Sequence, residues 1–240
     1  MKQNGTLSDT RLPDNIQEVN HLNGYTVEEI GDQHLFTSYE TPLRDDAFEL
    51  DDETKIELIE KHFEGILNIL GLDLTDDSLK GTPNRVAKMY VKEIFRGLNP
   101  KNAPKIALFD NKYQYDQMLV EKDITVYSNC EHHLVPIVGK AHVAYISNGQ
   151  VIGLSKINRI VEYFAKRPQV QERLTVQIAN YLRDVLKTES VAAVIDAKHL
   201  CVSSRGVEDT TSSTITATYF GKFQEQATKD EFLMHVYNRK

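Results

Sequence analysis

The sequence predicts an α+β fold with an antiparallel sheet. Three observations carry that prediction. Two segments with helical spacing come first. Two alternating, β-branched segments follow. A second helix pair and a second strand pair close the chain. Helices and strands are thus segregated rather than alternating as βαβ units. No internal repeat with a period of roughly 20–50 residues underlies this order.

Residues 1–50 are polar, acidic and unpatterned, and read as a mobile extension. In "ELDDETKIELIEKHFEGILNILGLD", Ile56, Ile59, Phe63, Ile66 and Leu70 recur at helical spacing, and Gly71 stops the run. A second helix opens in "GTPNRVAKMYVKEIFRGLNP", with Thr82 as the N-cap, Pro83 at the first helical position, and Gly97 and Pro100 at its end. Arg85, Lys88, Lys92 and Arg96 share one face of it. Lys92 and Arg96 read as solvated charges, whereas Arg85 and Lys88 are open to recruitment by a site formed between subunits.

"MLVEKDITVYS" and "GKAHVAYIS" alternate as strands. Asn148-Gly149 predicts a two-residue hairpin returning into "QVIGL". In "SKINRIVEYFAKRP", Ser155 is the candidate cap of a helix with an apolar stripe of Ile157, Ile160, Val161 and Phe164. Pro168 breaks this helix and begins the next, whose stripe is Val170, Leu174, Ile178, Leu182 and Val185. "SVAAVIDAKHLCVSS" and "TTSSTITATYFGKF" read as closing strands. The expected division is an extension over 1–50, a helical region over 51–100 and a core over 101–240.

At 40% apolar and 26% charged residues, the chain can bury a substantial core. A net charge of −7 argues against a nucleic-acid coat, which needs a basic footprint, but leaves room for a local basic pocket. No stretch approaches the ~18 apolar residues of a membrane span. "MKQNGTLSDTRLPDN" lacks the apolar centre of a secretory signal. Two cysteines far apart then point to reduced thiols in a cytoplasm, with a Cys130–Cys201 disulfide as the alternative.

"YSNCEHHLVP" concentrates chemistry. Cys130 and His133 form a C-x-x-H pair, a spacing that lets a thiolate and an imidazole reach one ion. In "KHLCV", His199 and Cys201 lie two apart on an expected strand and so share a face. Cys201 would complete a Cys-His-Cys set, and soft thiolates with an imidazole favour zinc. Three protein ligands leave an open position for catalysis, whereas a structural site has four. The preferred reading therefore keeps His132 and His199 as acid–base groups beside the metal. The alternative uses one of them as a fourth ligand.

"GLSKINRI" puts Ser155, Lys156 and Arg159 at a helix start, where free N–H groups and the positive dipole end favour a phosphate. Arg205 in "SSRGVED" follows the candidate ligand Cys201 closely. Together these cations resemble a polyphosphate cradle. Glu172 in "VQERL" reads first as a solvated helix position. Buried near the pocket, its carboxylate would match the N1–H and 2-amino edge of guanine.

Three motifs together resemble the GTP cyclohydrolase I family: "CEHHLVPIVGKAHVAYI", "VIGLSKINRIVEYFAKRPQVQERLT" and "DAKHLCVSSRGVEDTTSSTIT". The likeness runs from about Gly81 to Phe223 and is tight over 128–215. It implies a tunnelling fold whose barrel closes by oligomerisation, as a homodecamer of two pentamers with sites at subunit interfaces. It implies Zn2+ on Cys130, His133 and Cys201, with His132 and His199 as the acid–base pair. Glu172, with Gln171 beside it, would bind guanine. Ser155, Lys156, Arg159 and Arg205 would bind the triphosphate, joined by Arg85 and Lys88 of a neighbouring subunit. The implied reaction opens the imidazole ring of GTP, releases formate and yields 7,8-dihydroneopterin triphosphate, the first step towards tetrahydrofolate or tetrahydrobiopterin. The competing readings are a non-catalytic nucleotide-binding module with structural zinc and another tunnelling-fold enzyme, such as a pterin-converting synthase or a nitrile reductase, both disfavoured by the Cys-His-Cys set with its lysine-arginine cradle. Glu131 receives no role from the sequence.

Overall fold

The computed structural model describes residues 38–237. Its elements all fall within Glu40–Lys240, the larger of two units into which the chain divides. Residues 1–37 of the expected extension lie outside the described residues. The helices are α1 (Asp52–Ile69), α2 (Thr82–Met89), α3 (Leu154–Ala165), α4 (Gln171–Leu186), the one-turn α5 (Leu200–Ser203) and α6 (Gln226–Tyr237). The strands are β1 (Leu108–Asp110), β2 (Met118–Cys130), β3 (Pro136–Ile146), β4 (Gln150–Ile152), β5 (Pro168–Gln169), β6 (Val191–His199) and β7 (Thr214–Tyr219).

The main sheet has five strands in the order β5-β2-β3-β6-β7. Every pairing is antiparallel except that of the short β5 with β2. The fold is α+β, as the segregated pattern predicts. Alternation along β6 divides its side chains between two cores. Val191, Ala193, Ile195 and Ala197 face the larger one, built with Ile157, Ile160, Val161 and Phe164 of α3 and Leu174, Ile178 and Leu182 of α4. Ala192 and Val194 face a smaller cluster with Phe223 and with Phe232 and Val236 of α6. The helical stripes of α3 and α4 are thus buried as their spacing requires, except that Val170 is the N-cap of α4 rather than part of it and, like Val185, is only partly covered.

Several boundaries differ from expectation. Gly81, not Thr82, is the N-cap of α2, and Thr82 lies inside the helix. Beyond Met89 the helix widens into a π turn over Tyr90–Ile94, closed by Phe95 N–H donating to the Tyr90 carbonyl. Gly97 is therefore no simple helix stop. Its N–H donates to Lys166 O at 2.8 Å, and a Cβ there would meet Tyr163 O at 2.1 Å. The turn at Asn148-Gly149 forms with Gly149 at φ +93°, but β4 pairs with β1 instead of folding back along β3. Gly153 caps α3, so Ser155 stands one residue into the helix. Pro168 does not open α4. It begins β5, which adds to the Cys130 end of β2, and α4 starts at Gln171. The strand carrying His199 ends there, and Cys201 sits on the helical turn α5. Helix α6 was not legible, because only Phe232 and Val236 of its length are buried.

On α1 only Ile56 is buried, while Ile66, Ile69 and Leu70 are exposed. Farther upstream, Glu40 accepts a hydrogen bond from the buried Gln177 at 2.7 Å. Gln177 in turn accepts one from the buried Gln169 at 2.9 Å, which also donates to Phe164 O.

Gly139 sits where β3 and β6 press closest. An added Cβ would lie 2.2 Å from Asp196 O and 2.5 Å from Ala197 Cα, both backbone atoms that cannot swing away. Gly139→Ala should destabilise the fold by about 1–3 kcal/mol or more, as overpacking does. A lowered thermal midpoint checks this. An unchanged one would mean that the strands separate freely at this point.

Candidate active site

The "CEHHL" segment is the loop of the β2–β3 hairpin. Cys130 N–H donates to Val135 O at 2.8 Å and Leu134 N–H to Cys130 O at 2.9 Å. Asn129 Nδ2 reaches Leu134 O at 3.1 Å, and Glu131 N–H reaches Gln169 O in β5 at 3.0 Å. Leu134 takes φ +53°, a conformation that non-glycine residues adopt only when their surroundings enforce it. The loop is thus held at four points before any ligand binds.

Strand β3 lies between β2 and β6, and its register places His199 opposite Ile137, beside this loop. Helix α5 then turns the chain so that Cys201 meets the hairpin. The ligand atoms of Cys130, His133 and Cys201 lie within 4.8 Å of one another. Cys130 is buried, Cys201 partly so, and His133 exposed. Both cysteines are free thiols. Burial and the adjacent Cys130 push the Cys201 thiol up from its ordinary pKa, although the Arg205 charge opposes this. A Cys201 thiol held up by burial and crowded against Cys130, with an imidazole beside them, fits a soft divalent cation, whose charge would reverse that penalty.

The remaining imidazoles flank this group. His132 Nδ1 lies 3.6 Å from Cys130 Sγ. His199 Nε2 lies 2.7 Å from Gln171 Oε1. The amide orientation of Gln171 is fixed, because its Nε2 reaches Ile195 O at 3.0 Å and Thr214 O at 2.8 Å, which only accept. Its Oε1 therefore faces His199, so His199 Nε2 must donate and a neutral ring keeps its lone pair on Nδ1. Burial lowers the His199 pKa from its usual value, with the Glu172 charge acting in the opposite sense. The neutral ring is thereby favoured near pH 7. Gln171 was expected at the substrate; it is buried, and its amide is taken up by His199 and the backbone. Glu172, next in sequence, is exposed.

Arg205 donates Nη1–H to His133 Nε2 at 3.0 Å, which joins this cation to the Cys-His-Cys group. Lys156 and Arg159 line a cleft of about 600 Å³ together with Lys92, Arg96 and Lys105. Lys92 is paired with Glu53 at 2.9 Å, and Arg96 with Glu162 at 2.5 Å. Among the described residues, no carboxylate pairs with Lys105, Lys156 or Arg159. Ser155 is exposed near the start of α3. Arg85 donates to Thr82 Oγ1 at 2.9 Å and to Ser78 O, within its own segment. Among the described residues, no hydrogen bond or ion pair joins Arg85 or Lys88 to the hairpin loop.

The site also holds a buried ion pair that no sequence motif singles out. Arg173 forms a two-pronged ion pair with Glu131, Nη1–Oε2 at 2.5 Å and Nη2–Oε1 at 3.2 Å, and its side chain is only 3% exposed. A signal existed. Arg173 adjoins Leu174 on the buried side of α4, where a charge needs a partner.

Comparison with known proteins follows the same line. The family model described as GTP cyclohydrolase I matches residues 59–237. GTP cyclohydrolase 1 of Flavobacterium johnsoniae is 65% identical over 210 residues, covering 88% of this chain and 94% of that relative. GTP cyclohydrolase 1 of Salmonella choleraesuis is 56% identical over 198 residues, covering 82% and 89%.

The closeness of the two thiols has a direct chemical readout. With metal removed by a chelator, a mild thiol oxidant should link Cys130 to Cys201, found by peptide mapping as one cross-link within the chain. Added metal should protect both thiols. A chelated chain that keeps both thiols free under oxidation would show that they do not meet.

Proposed function

The chain belongs to the GTP cyclohydrolase I family, and from that membership we propose the residue roles of a zinc-dependent hydrolysis of GTP. One observation carries the assignment: a Cys130–His133–Cys201 donor set with His132 touching Cys130 and His199 held by Gln171. Zinc fits this set by ligand softness and number. When bound, it supplies Lewis acidity that makes a water nucleophilic near neutral pH.

The chain's own groups do the rest. Lys156 and Arg159 hold the triphosphate in their cleft, with Lys105 on its wall, Ser155 at the helix start and Arg205 reaching from the metal side. Binding energy remote from the purine thereby orients the base. Glu172 accepts from the N1–H and 2-amino edge of guanine, and Gln171 acts through His199. His199 takes or gives a proton at Nδ1, and His132 serves as its counterpart. Hydrolysis opens the imidazole ring, C8 leaves as formate, and the rearranged ribose recloses on the freed amine as 7,8-dihydroneopterin triphosphate.

A homo-oligomer, a decamer of two pentamers, completes the proposal. The exposed apolar residues of α1 and the terminal position of β7 in the sheet support it. Arg85 and Lys88 then reach the triphosphate of a neighbouring subunit. Free thiols fit a reducing compartment such as the cytoplasm. No described helix is long and apolar enough to cross a membrane.

The test is turnover of GTP followed by pterin fluorescence. The native protein should convert GTP, lose activity with a chelator, and regain it with zinc. Cys201→Ser should lose both metal and turnover. His199→Ala should keep its metal and lose about 10²-fold or more in kcat, the range for a missing acid–base group. Glu172→Gln should weaken GTP binding with little loss of stability, and ATP should be a very poor substrate, because unpaired polar groups penalise the wrong base. Efficient ATP turnover, or loss of metal in His199→Ala, would overturn these roles.

A further inference from the structure

We propose that the Arg173–Glu131 ion pair is a positioning device that holds the His132 imidazole, so that the first turn of α4 sets the places of both flanking histidines. The inference rests on the acid–base role proposed for His132.

The geometry runs as a chain. Arg173 Nη1 and Nη2 grip the two oxygens of Glu131. Glu131 Oε1 lies 3.4 Å from His132 Nε2, and His132 Nδ1 lies 3.6 Å from Cys130 Sγ. The ring is therefore bracketed, by a carboxylate at one nitrogen and a metal-site thiol at the other. Glu131 cannot drift, because its N–H is tied to Gln169 O and its side chain to a fork that is almost wholly buried. An arginine fork fixes a carboxylate in two directions, which a lysine point charge does not.

The same helical turn governs the other imidazole. Gln171 meets His199 at 2.7 Å, two residues before Arg173 meets Glu131. Glu172 between them is exposed. Consecutive helical positions point about 100° apart, so one turn presents Gln171, Glu172 and Arg173 in three directions. Two of these directions lead to the histidines. A simple stabilising ion pair would not need its carboxylate beside a functional ring. Stability alone is also a weak reason to bury such a pair, since apolar residues often serve as well.

The test is a double-mutant cycle with a physical readout alongside. Glu131→Gln keeps the shape and removes the charge. It should lower kcat about 10–100-fold, the usual effect of losing a supporting group behind a reactive one. KM for GTP should stay within about twofold and zinc at one per chain. In a His132→Ala background the same change should alter kcat by less than about twofold, because the ring it positions is gone. Arg173→Lys should act like a milder Glu131→Gln, and it replaces that variant if the latter does not fold. Nitrogen NMR of the zinc-loaded protein without substrate should show one sharp His132 ring environment that becomes broadened or multiple in either variant.

Equal losses of kcat with and without His132 would overturn the proposal, as would unchanged kcat or an unchanged His132 ring signal. If the native protein turned over no GTP, the functional reading would fall, while the NMR comparison would still decide whether the pair holds the ring.

Discussion

Cys130 and Cys201 are distant in sequence and end on different elements. They meet because β3 stands in one fixed register between β2, which ends at Cys130, and β6, which leads into the turn that carries Cys201. Ile137 pairs with His199, and the ladder continues to Tyr145 against Val191. A slip by one residue would turn every side chain of β6 to the opposite face. Ile195 would leave the larger core and Val194 would enter it. The donor set therefore depends on a hydrophobic constraint, since the cores on the two faces enforce the register that the metal site needs.

The parts of the fold with dense periodic burial were readable in advance. The stripes of α3 and α4 and the alternation of β2 and β3 needed only spacing. Boundaries were less legible where backbone geometry outranked side-chain preference. Ser155 is a good capping residue, but Gly153 already occupies the turn. Pro168 suits a helix start, but its chain is extended as β5 beside β2. Cys201 was placed beside His199 by strand alternation. The two do share a site, although through the turn of α5 rather than through a common strand face. The site residues were visible as chemical types at short spacings. The Glu131–Arg173 pair was not, because its members lie on different elements and only the packing of α4 against the hairpin brings them together.

Charge is distributed with a similar division of labour. The chain carries a net −7, yet the cleft beside α3 gathers lysines and arginines. Lys92 and Arg96 are partly neutralised by Glu53 and Glu162, which fixes the walls. Lys105, Lys156 and Arg159 carry the field that a polyanion would meet. A net-acidic chain with a cationic recess discourages nucleic acids while still attracting a small anion.

The π turn after α2 has a consequence for how this chain tolerates change in length. A hydrogen bond from Phe95 back to Tyr90 spans one residue more than an α-helix allows. The segment thus accommodates a surplus residue without displacing what lies on either side. Deleting any single residue between Tyr90 and Ile94 would let the α-helix run on with ordinary bonds, and the local secondary structure would look improved. What lies on either side would keep its place, with Gly97 still seated against Lys166 O and Tyr163 O. In a regular stretch of helix the same loss would rotate everything downstream by about 100° and retract it by about 1.5 Å. The irregular turn is therefore the point in the N-terminal helices where the chain can lose a residue and stay in step with α3.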